Sequence, residues 1–254
     1  AFGHVRRLQA VGAPSVKVYQ QSRRDQRQWY VAACNELGAL CVAEGGGDIW
    51  MNLGMVADGF QAIEHALPLA PLYADVAQWM AASRSDGSWG AAYTPTLLVA
   101  YGGLSGENFF YQHHTPIDDA RLLRHHPRRA LDRKAWRWDQ HVQDGDWNHQ
   151  QVARDAAGMA RDGVLVTLGA HGQLQGLGVH WELWALGGPG AMTPIEALQA
   201  ATINGARYLG LDAELGTVEA GKLADLVVLD RDPRDDIHHS TDIAFTVKNG
   251  EVFE

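Results

Sequence analysis

Cysteine is scarce in this chain of 254 residues: only Cys34 and Cys41 occur, both in apolar surroundings. Two thiols build neither a disulfide framework nor a four-thiolate zinc site, so they are expected to pack in a core. Proline is sparse, with 9 residues, and no collagen-like tract or 20- to 50-residue repeat is present. Positive charge is in deficit: 21 Lys and Arg stand against 30 Asp and Glu, a formal charge of −9. That balance repels phosphate backbones and anionic lipid, so neither nucleic acid nor a membrane surface is an expected partner. Long apolar runs are missing too. The longest uncharged stretches, Gly87 to Gly106 and Gly163 to Trp181, interleave glycine, hydroxyl, Gln or His side chains that hydrocarbon rejects. Residue 1 is not Met and no signal-peptide pattern follows. Any targeting region is therefore expected upstream of Ala1, and the expectation is a soluble protein of open compartment.

What is present suffices for a substantial core, with 46% hydrophobic and 20% charged residues. Short β-like runs at Ser15 to Tyr19, Leu40 to Glu44, Ala62 to Ala66, Tyr93 to Ala100 and Val164 to Ala170 alternate with helical patterns. This alternation predicts a parallel α/β architecture. Asp25 to Leu37 reads as a helix stopped by Gly38, and Leu72 to Ala82 as another. The best-defined helix starts at Thr193, with Pro194 at its first position, Glu196 completing a capping box, and Ile195, Leu198, Thr202, Ala206 and Leu209 as its expected buried stripe before Gly210. Ala224 to Leu229, Ile243 to Val247 and Val252-Phe253, with a turn at Asn249-Gly250, predict a small antiparallel unit. Residues 102–150 read as an irregular, charged, histidine-rich insertion carrying His113, His114, His125, His126, His141 and His149, a lid or mobile segment by its length.

The final quarter carries the most specific motifs. They are Thr193-Pro-Ile-Glu-Ala-Leu-Gln-Ala-Ala-Thr202-Ile-Asn204-Gly-Ala206, then Leu215-Gly216 through Gly221-Lys222-Leu-Ala224-Asp225 to Asp230, then Val247-Lys-Asn249-Gly250. This pattern resembles the C-terminal end of the amidohydrolase superfamily of metal-dependent hydrolases, in its imidazolonepropionase-like and prolidase-like branch, including members fused to a Tol-type β-propeller. The resemblance extends back to about Gly12. It implies a partial (β/α)8 TIM-type barrel, about strands 4 to 8, over residues 1–212, and part of a small β-sandwich over 213–254. The superfamily's first-strand His-x-His metal ligands have no counterpart, since no His-x-His occurs in the chain.

Active sites of such barrels gather at the carboxyl ends of the strands. Lys17, between Val16 and Val18, is expected to be buried. It serves either as a metal-site lysine, carboxylated to a carbamate as in relatives, or as one half of a buried ion pair. Glu44 stands where relatives usually have a histidine, and Gly45-Gly46-Gly47 after it suits a sharp turn; it is read as a metal ligand, or as a partner of Lys17. His65 matches the sixth-strand metal-binding histidine, the alternative being a core histidine. Glu64 is expected on the other face by alternation. His171 replaces the aspartate that relatives use to bind metal and move the proton of water; imidazole can take either role, or simply pack the loop. Tyr101 with Thr94-Pro-Thr96 is expected to shape the pocket rim, and Gln173, His180 and Glu182 to line it. His113 and His114 read as solvated residues, and Asp225 as structural.

The resulting expectation is an enzyme with one or two divalent ions, zinc by preference, held by Lys17, Glu44 and His65, with His171 acting on a water that attacks an amide or peptide carbonyl. A deaminase or cyclic-amide hydrolase shares that chemistry, and a non-catalytic fragment or degenerate barrel is a third reading. A five-stranded half-barrel leaves two unpaired edges, so a missing N-terminal barrel half or a homo-oligomer is the expected partner, beside a small-molecule amide or peptide substrate.

Overall fold

β-Branched and small residues alternate through the first half of the chain, and in the computed structural model, which describes residues 1–82, 90–101, 103–136 and 142–253, they form a parallel sheet. The order along the chain is α1 (Phe2–Ala10), β1 (Ser15–Val18), α2 (Arg24–Leu37), β2 (Leu40–Glu44), α3 (Ile49–Ala57), β3 (Ala62–Glu64), α4 (Ala74–Ala81) and β4 (Ala92–Thr94). Then come α5 (Gly106–His113), α6 (Ala120–His125), α7 (Arg128–Ala135), α8 (Asn148–Arg161), α9 (Leu177–Leu186), α10 (Pro194–Ala201) and α11 (Ile203–Leu209), and finally β5 (Leu226–Leu229), β6 (Ile243–Lys248) and β7 (Glu251–Phe253). Strands β1-β2-β3-β4 lie in sequence order, each parallel to the next, as repeated β-α-β units require.

The register separates the two faces. Val16, Val18, Cys41, Ala43, Ile63 and Tyr93 belong to the main core with the helices, while Val42, Ala62, Ala92 and Leu165 form a smaller cluster on the other face, the one a barrel turns inward. Tyr208 of α11 packs against this inner cluster. Cys34 and Cys41 are fully buried free thiols, as expected.

Three expectations are corrected. The run at Val164 to Ala170 is not a full strand: a single parallel bridge joins Tyr93 and Val166. The ladder stops because, one residue past Thr167, the N–H of Leu168 turns to the carbonyl of Ala200 in α10. The final helix is two helices, α10 and α11. Its capping box at Thr193 and Glu196 forms as read, but Thr202 breaks it, with its hydroxyl donating to the Leu198 carbonyl at 2.6 Å. Its buried positions are Ala197, Ala200 and Ala206, with Ile195 and Leu209 exposed, because the small residues let the helices approach the sheet closely. The insertion is not irregular: α5, α6, α7 and the start of α8 fall within it, and Phe110, Tyr111, Leu122 and Leu131 join the main core. His141 lies outside the described residues.

The C-terminal unit is the expected antiparallel sheet, order β5-β6-β7, with Asn249 and Gly250 both at positive φ in the tight turn. Asp225 is structural: its carboxylate accepts the N–H of Asn249 at 2.7 Å and pairs with Lys248.

Candidate active site

The carboxyl end of β2 places Glu44 on the inner face, in register with Glu64 and, through it, with Thr94. Thr94 continues the row to Thr167, their hydroxyls 2.7 Å apart. Cross-strand partners in a parallel sheet share a face, so Glu64 lies on the same face as Glu44. Its carboxylate accepts the Tyr208 hydroxyl at 2.8 Å. The alternation rule fails one residue later: β3 ends at Glu64, and His65 takes φ 73°. This left-handed step swings the imidazole back over the row. His65 Nε2 then lies 3.0 Å from Glu44 Oε1, with both side chains buried.

Burial holds the His65 imidazole below its usual pKa, Glu44 opposing the effect while His171 and Lys17 add to it. A neutral imidazole bonded to a carboxylate through Nε2 carries its proton there. That leaves Nδ1 with a lone pair, and Nδ1 is buried without a protein partner. Glu44 Oε2 lies 2.5 Å from Lys17 Nζ in an ion pair without hydrogen-bond geometry. Lys17 is not buried: its side chain is 49% exposed. It sits on edge strand β1, where no further strand covers the inner face among the described residues.

Two more rings complete the cluster. The His171 ring lies 5.0 Å from that of His65, and the Tyr101 ring 5.3 Å from it. Burial raises the Tyr101 phenol, with the Glu44 charge adding to the shift and a hydrogen bond from Gln20 working against it. Among the described residues four non-glycine residues have positive φ: His65 and Thr96 (50°) follow the ends of β3 and β4, His171 (56°) follows the segment bridged to β4, and Asn249 lies in the C-terminal turn. Unfavourable backbone conformations of this kind persist where the surroundings enforce them, and functional sites are where they gather.

The glycines after Glu44 act by close approach rather than by a turn through positive φ. A Cβ on Gly45 would stand 2.7 Å from the Glu64 carbonyl oxygen, which accepts the Gly45 N–H at 2.8 Å. Asn52, fully buried on α3, clamps Gly46 by accepting its N–H at 3.0 Å and donating to its carbonyl at 2.9 Å. Sequence reading passed over Asn52 and Gln20, which donates to the Gly45 carbonyl at 3.2 Å. A lone amide in the apolar stretch Ile49 to Ala57 was the available signal.

The remaining rim candidates disperse. The Gln173 carbonyl accepts from Lys134, which ties down the loop after His171. His180 faces the C-terminal unit, its Nδ1 3.1 Å from Ser240 Oγ, beside a cavity lined by Arg121, His125 and Ile243. Glu182 does not face solvent. It is fully buried, its pKa pushed up to about 8 by desolvation, and accepts the N–H groups of Leu97 and Leu98 at 2.6 and 3.0 Å, so it braces the segment leading to Tyr101. His113 pairs with Asp144 at the surface, 3.3 Å away.

The donors suit a divalent ion in kind: a carboxylate, a neutral imidazole with an unpartnered nitrogen, and a second imidazole nearby. They are fewer than an ion requires, since among the described residues no three His, Cys, Asp or Glu side chains are grouped to hold one. Glu44 and His65, with His171 beside them, thus form part of a donor set.

Comparison of the coordinates with solved structures defines the class of fold. A Xaa-Pro dipeptidase with bound methionine superposes over 100% of this chain with a TM-score of 0.68 at 20% identity, and a phenylurea hydrolase B over 99% with 0.64 at 19%. The chain spans 57% and 55% of these two proteins. The model of the amidohydrolase family matches residues 112–253, more than half of the chain, which belongs to that family. Curated relatives match over short segments. A 5-methylthioadenosine/S-adenosylhomocysteine deaminase of Moorella thermoacetica is 54% identical over 44 residues, 17% of this chain and 10% of its own length. An imidazolonepropionase of Symbiobacterium thermophilum is 58% identical over 38 residues, 15% and 9% of the two lengths.

Proposed function

We propose that this chain supplies part of the active centre of a metal-dependent hydrolase acting on carbon–nitrogen bonds, with an amide or peptide as substrate. The observation that carries the reading is the Glu44–His65 contact of 3.0 Å, which orients a neutral imidazole and leaves its other nitrogen without a partner. A carboxylate that holds a histidine in one tautomer is a recurrent support of metal ligands. His65 would hold a divalent ion, zinc by donor type, through Nδ1 together with ligands from outside this cluster, while Glu44 orients its ring from Nε2. When bound, such an ion acidifies water and polarises a carbonyl. His171, exposed at the mouth, is placed to accept a proton, and Tyr101 to hydrogen-bond a substrate oxygen. Lys17 acts as counter-charge to Glu44, and carboxylation of its Nζ requires that pair to break.

The shortfall in donors and the open edge of β1 support completion by a second segment, either an N-terminal barrel half or another copy of the chain. A deaminase or cyclic-amide hydrolase is the second reading, favoured by the deaminase and imidazolonepropionase names among the relatives. Metal content by elemental mass spectrometry, before and after loading with zinc, is the first test, with His65→Ala as control. About one or two ions per chain, lost in the variant, support the reading. Full uptake by the variant, or no uptake once the chain is joined by the segment that completes it, sinks it and favours a non-catalytic chain. Hydrolysis assays with dipeptides, cyclic amides and aminopyrimidines then separate the two chemistries.

A further inference from the structure

Apart from the His65 cluster, a cavity of about 560 Å³ opens between α5, α8, α9 and the segment before β6. Its floor is buried and aromatic: Phe110, Trp184 and His149 line it together with Ala153. The rings are fixed by their neighbours. Phe110 stacks on Trp181 with centroids 5.3 Å apart and planes at 8°, and the Trp184 indole N–H donates to Ser240 Oγ at 2.9 Å. His149 is 2% exposed, and its Nδ1 has no protein partner. Burial alone lowers its pKa to about 4, so the imidazole is neutral at pH 7 and offers a hydrogen-bonding nitrogen.

The rim has the opposite character. Asp235 and Asp236 are exposed there; across the mouth Arg161 is engaged with the Ala191 carbonyl at 3.0 Å and with Glu196, and Arg154, which packs on Gly190, with Gln151. Asp236 is engaged with His238, whose Nδ1 lies 2.7 Å away, and His238 in turn tilts over Trp184 at 4.7 Å. The nearest guanidinium in sequence, Arg234, forks onto Asp232 at 2.6 to 3.0 Å. Asp235, which feels the Arg234 charge but makes no ion pair with it, is the carboxylate at the mouth that an incoming cation meets. An aromatic floor under a negative rim selects for a flat ring carrying an ammonium, because the ring buries apolar area and the cation gains from both the carboxylate and the π faces.

We propose that this cavity is a second binding site, separate from the His65 cluster, for a small arylalkyl ammonium. Its volume admits a bicyclic amine. The site stands independently of the hydrolase reading, since none of the residues lining it belongs to the Glu44–His65 group.

The test is calorimetric titration of the whole chain at pH 7 with three probes of one shape: tryptamine, neutral tryptophol and anionic indole-3-acetate. The expected order is tryptamine first, tryptophol weaker by about tenfold, and indole-3-acetate weakest, as a single carboxylate–ammonium contact near the surface predicts. Asp235→Lys, an exposed change that leaves the floor intact, is expected to erase the preference for tryptamine over tryptophol. His65→Ala is expected to leave all three affinities unchanged. Equal binding of the three probes, no binding of any, a preference that survives Asp235→Lys, or loss of tryptamine binding in His65→Ala would each overturn the proposal.

Discussion

Glu44 and His65 sit on neighbouring strands yet meet end to end, 3.0 Å apart, because His65 leaves its strand in a left-handed conformation. The contact fixes the imidazole proton on Nε2 and so settles which nitrogen is free. The first prediction tests that coupling. Glu44→Gln keeps an acceptor for Nε2 but removes the charge that raises the His65 pKa, so this pKa falls further. Metal retention is expected to drop by about 10- to 100-fold, as for other residues that orient a metal-binding histidine. Imidazole nitrogen shifts in a pH titration read the first effect, and competition with a chelator the second.

Lys17 is half-exposed, and its pair with Glu44 is correspondingly weak. Lys17→Met is nevertheless expected to lower unfolding free energy by about 1–3 kcal/mol, because Glu44 Oε2 is buried and has no other partner. Because the ammonium repels a cation bound beside this cluster, metal uptake is expected to persist or strengthen. Loss of uptake in elemental analysis would instead assign Lys17 to the ligand set as a carbamate.

Acid is expected to weaken the fold through His149. Its folded pKa, about 4, lies below the ordinary value of 6.5, so the unfolded chain binds more protons between these limits. Stability contributed by the neutral form is therefore full above about pH 6.5 and lost as pH falls towards 4, by up to about 3 kcal/mol. His65, His114 and His180 are shifted in the same direction. Urea midpoints measured from pH 7 to 4.5 should fall, and His149→Phe should flatten part of the slope.

Gly45 admits no side chain without movement of backbone, since its Cβ would lie 2.7 Å from the Glu64 carbonyl. Gly45→Ala is expected to cost roughly 1–3 kcal/mol in urea unfolding. Because that shift moves the end of β2, it should also weaken the Glu44–His65 contact, visible as a changed His65 titration.

Much of this arrangement is legible in the chain itself. The run Leu40 to Glu44 becomes β2 at those limits, Gly38 takes the left-handed cap of α2, and the Thr193–Glu196 box forms as read. Local chemistry decides each of these. What escapes is set by partners distant in sequence. The N–H of Leu168 is taken by Ala200, which ends a strand that its own residues favour. Within the site, Glu44, His65 and His171 were each picked out singly, but alternation placed Glu64 on the wrong face because no periodic rule anticipates the positive φ at His65. His180 and Glu182 read as rim residues since they follow His171 closely; the start of α9 carries them instead toward Ser240 and Leu97.

The single bridge at Tyr93 and Val166 sets how freely the parts of the cluster can be readjusted. His65 is carried directly from β3, which is hydrogen-bonded on both sides, and its own N–H donates to the Thr94 carbonyl. The segment carrying His171 is held to the sheet by two backbone bonds on Tyr93 and the Thr94–Thr167 hydroxyl pair, and to the helices by Asn204 on Val166, by Leu168 on Ala200 and, beyond His171, by Lys134 on Gln173. One imidazole is thus riveted to the sheet and the other slung between sheet and helices: the spacing of the two rings follows the helices that carry Lys134, Ala200 and Asn204, while the Glu44–His65 pair stays where the sheet holds it.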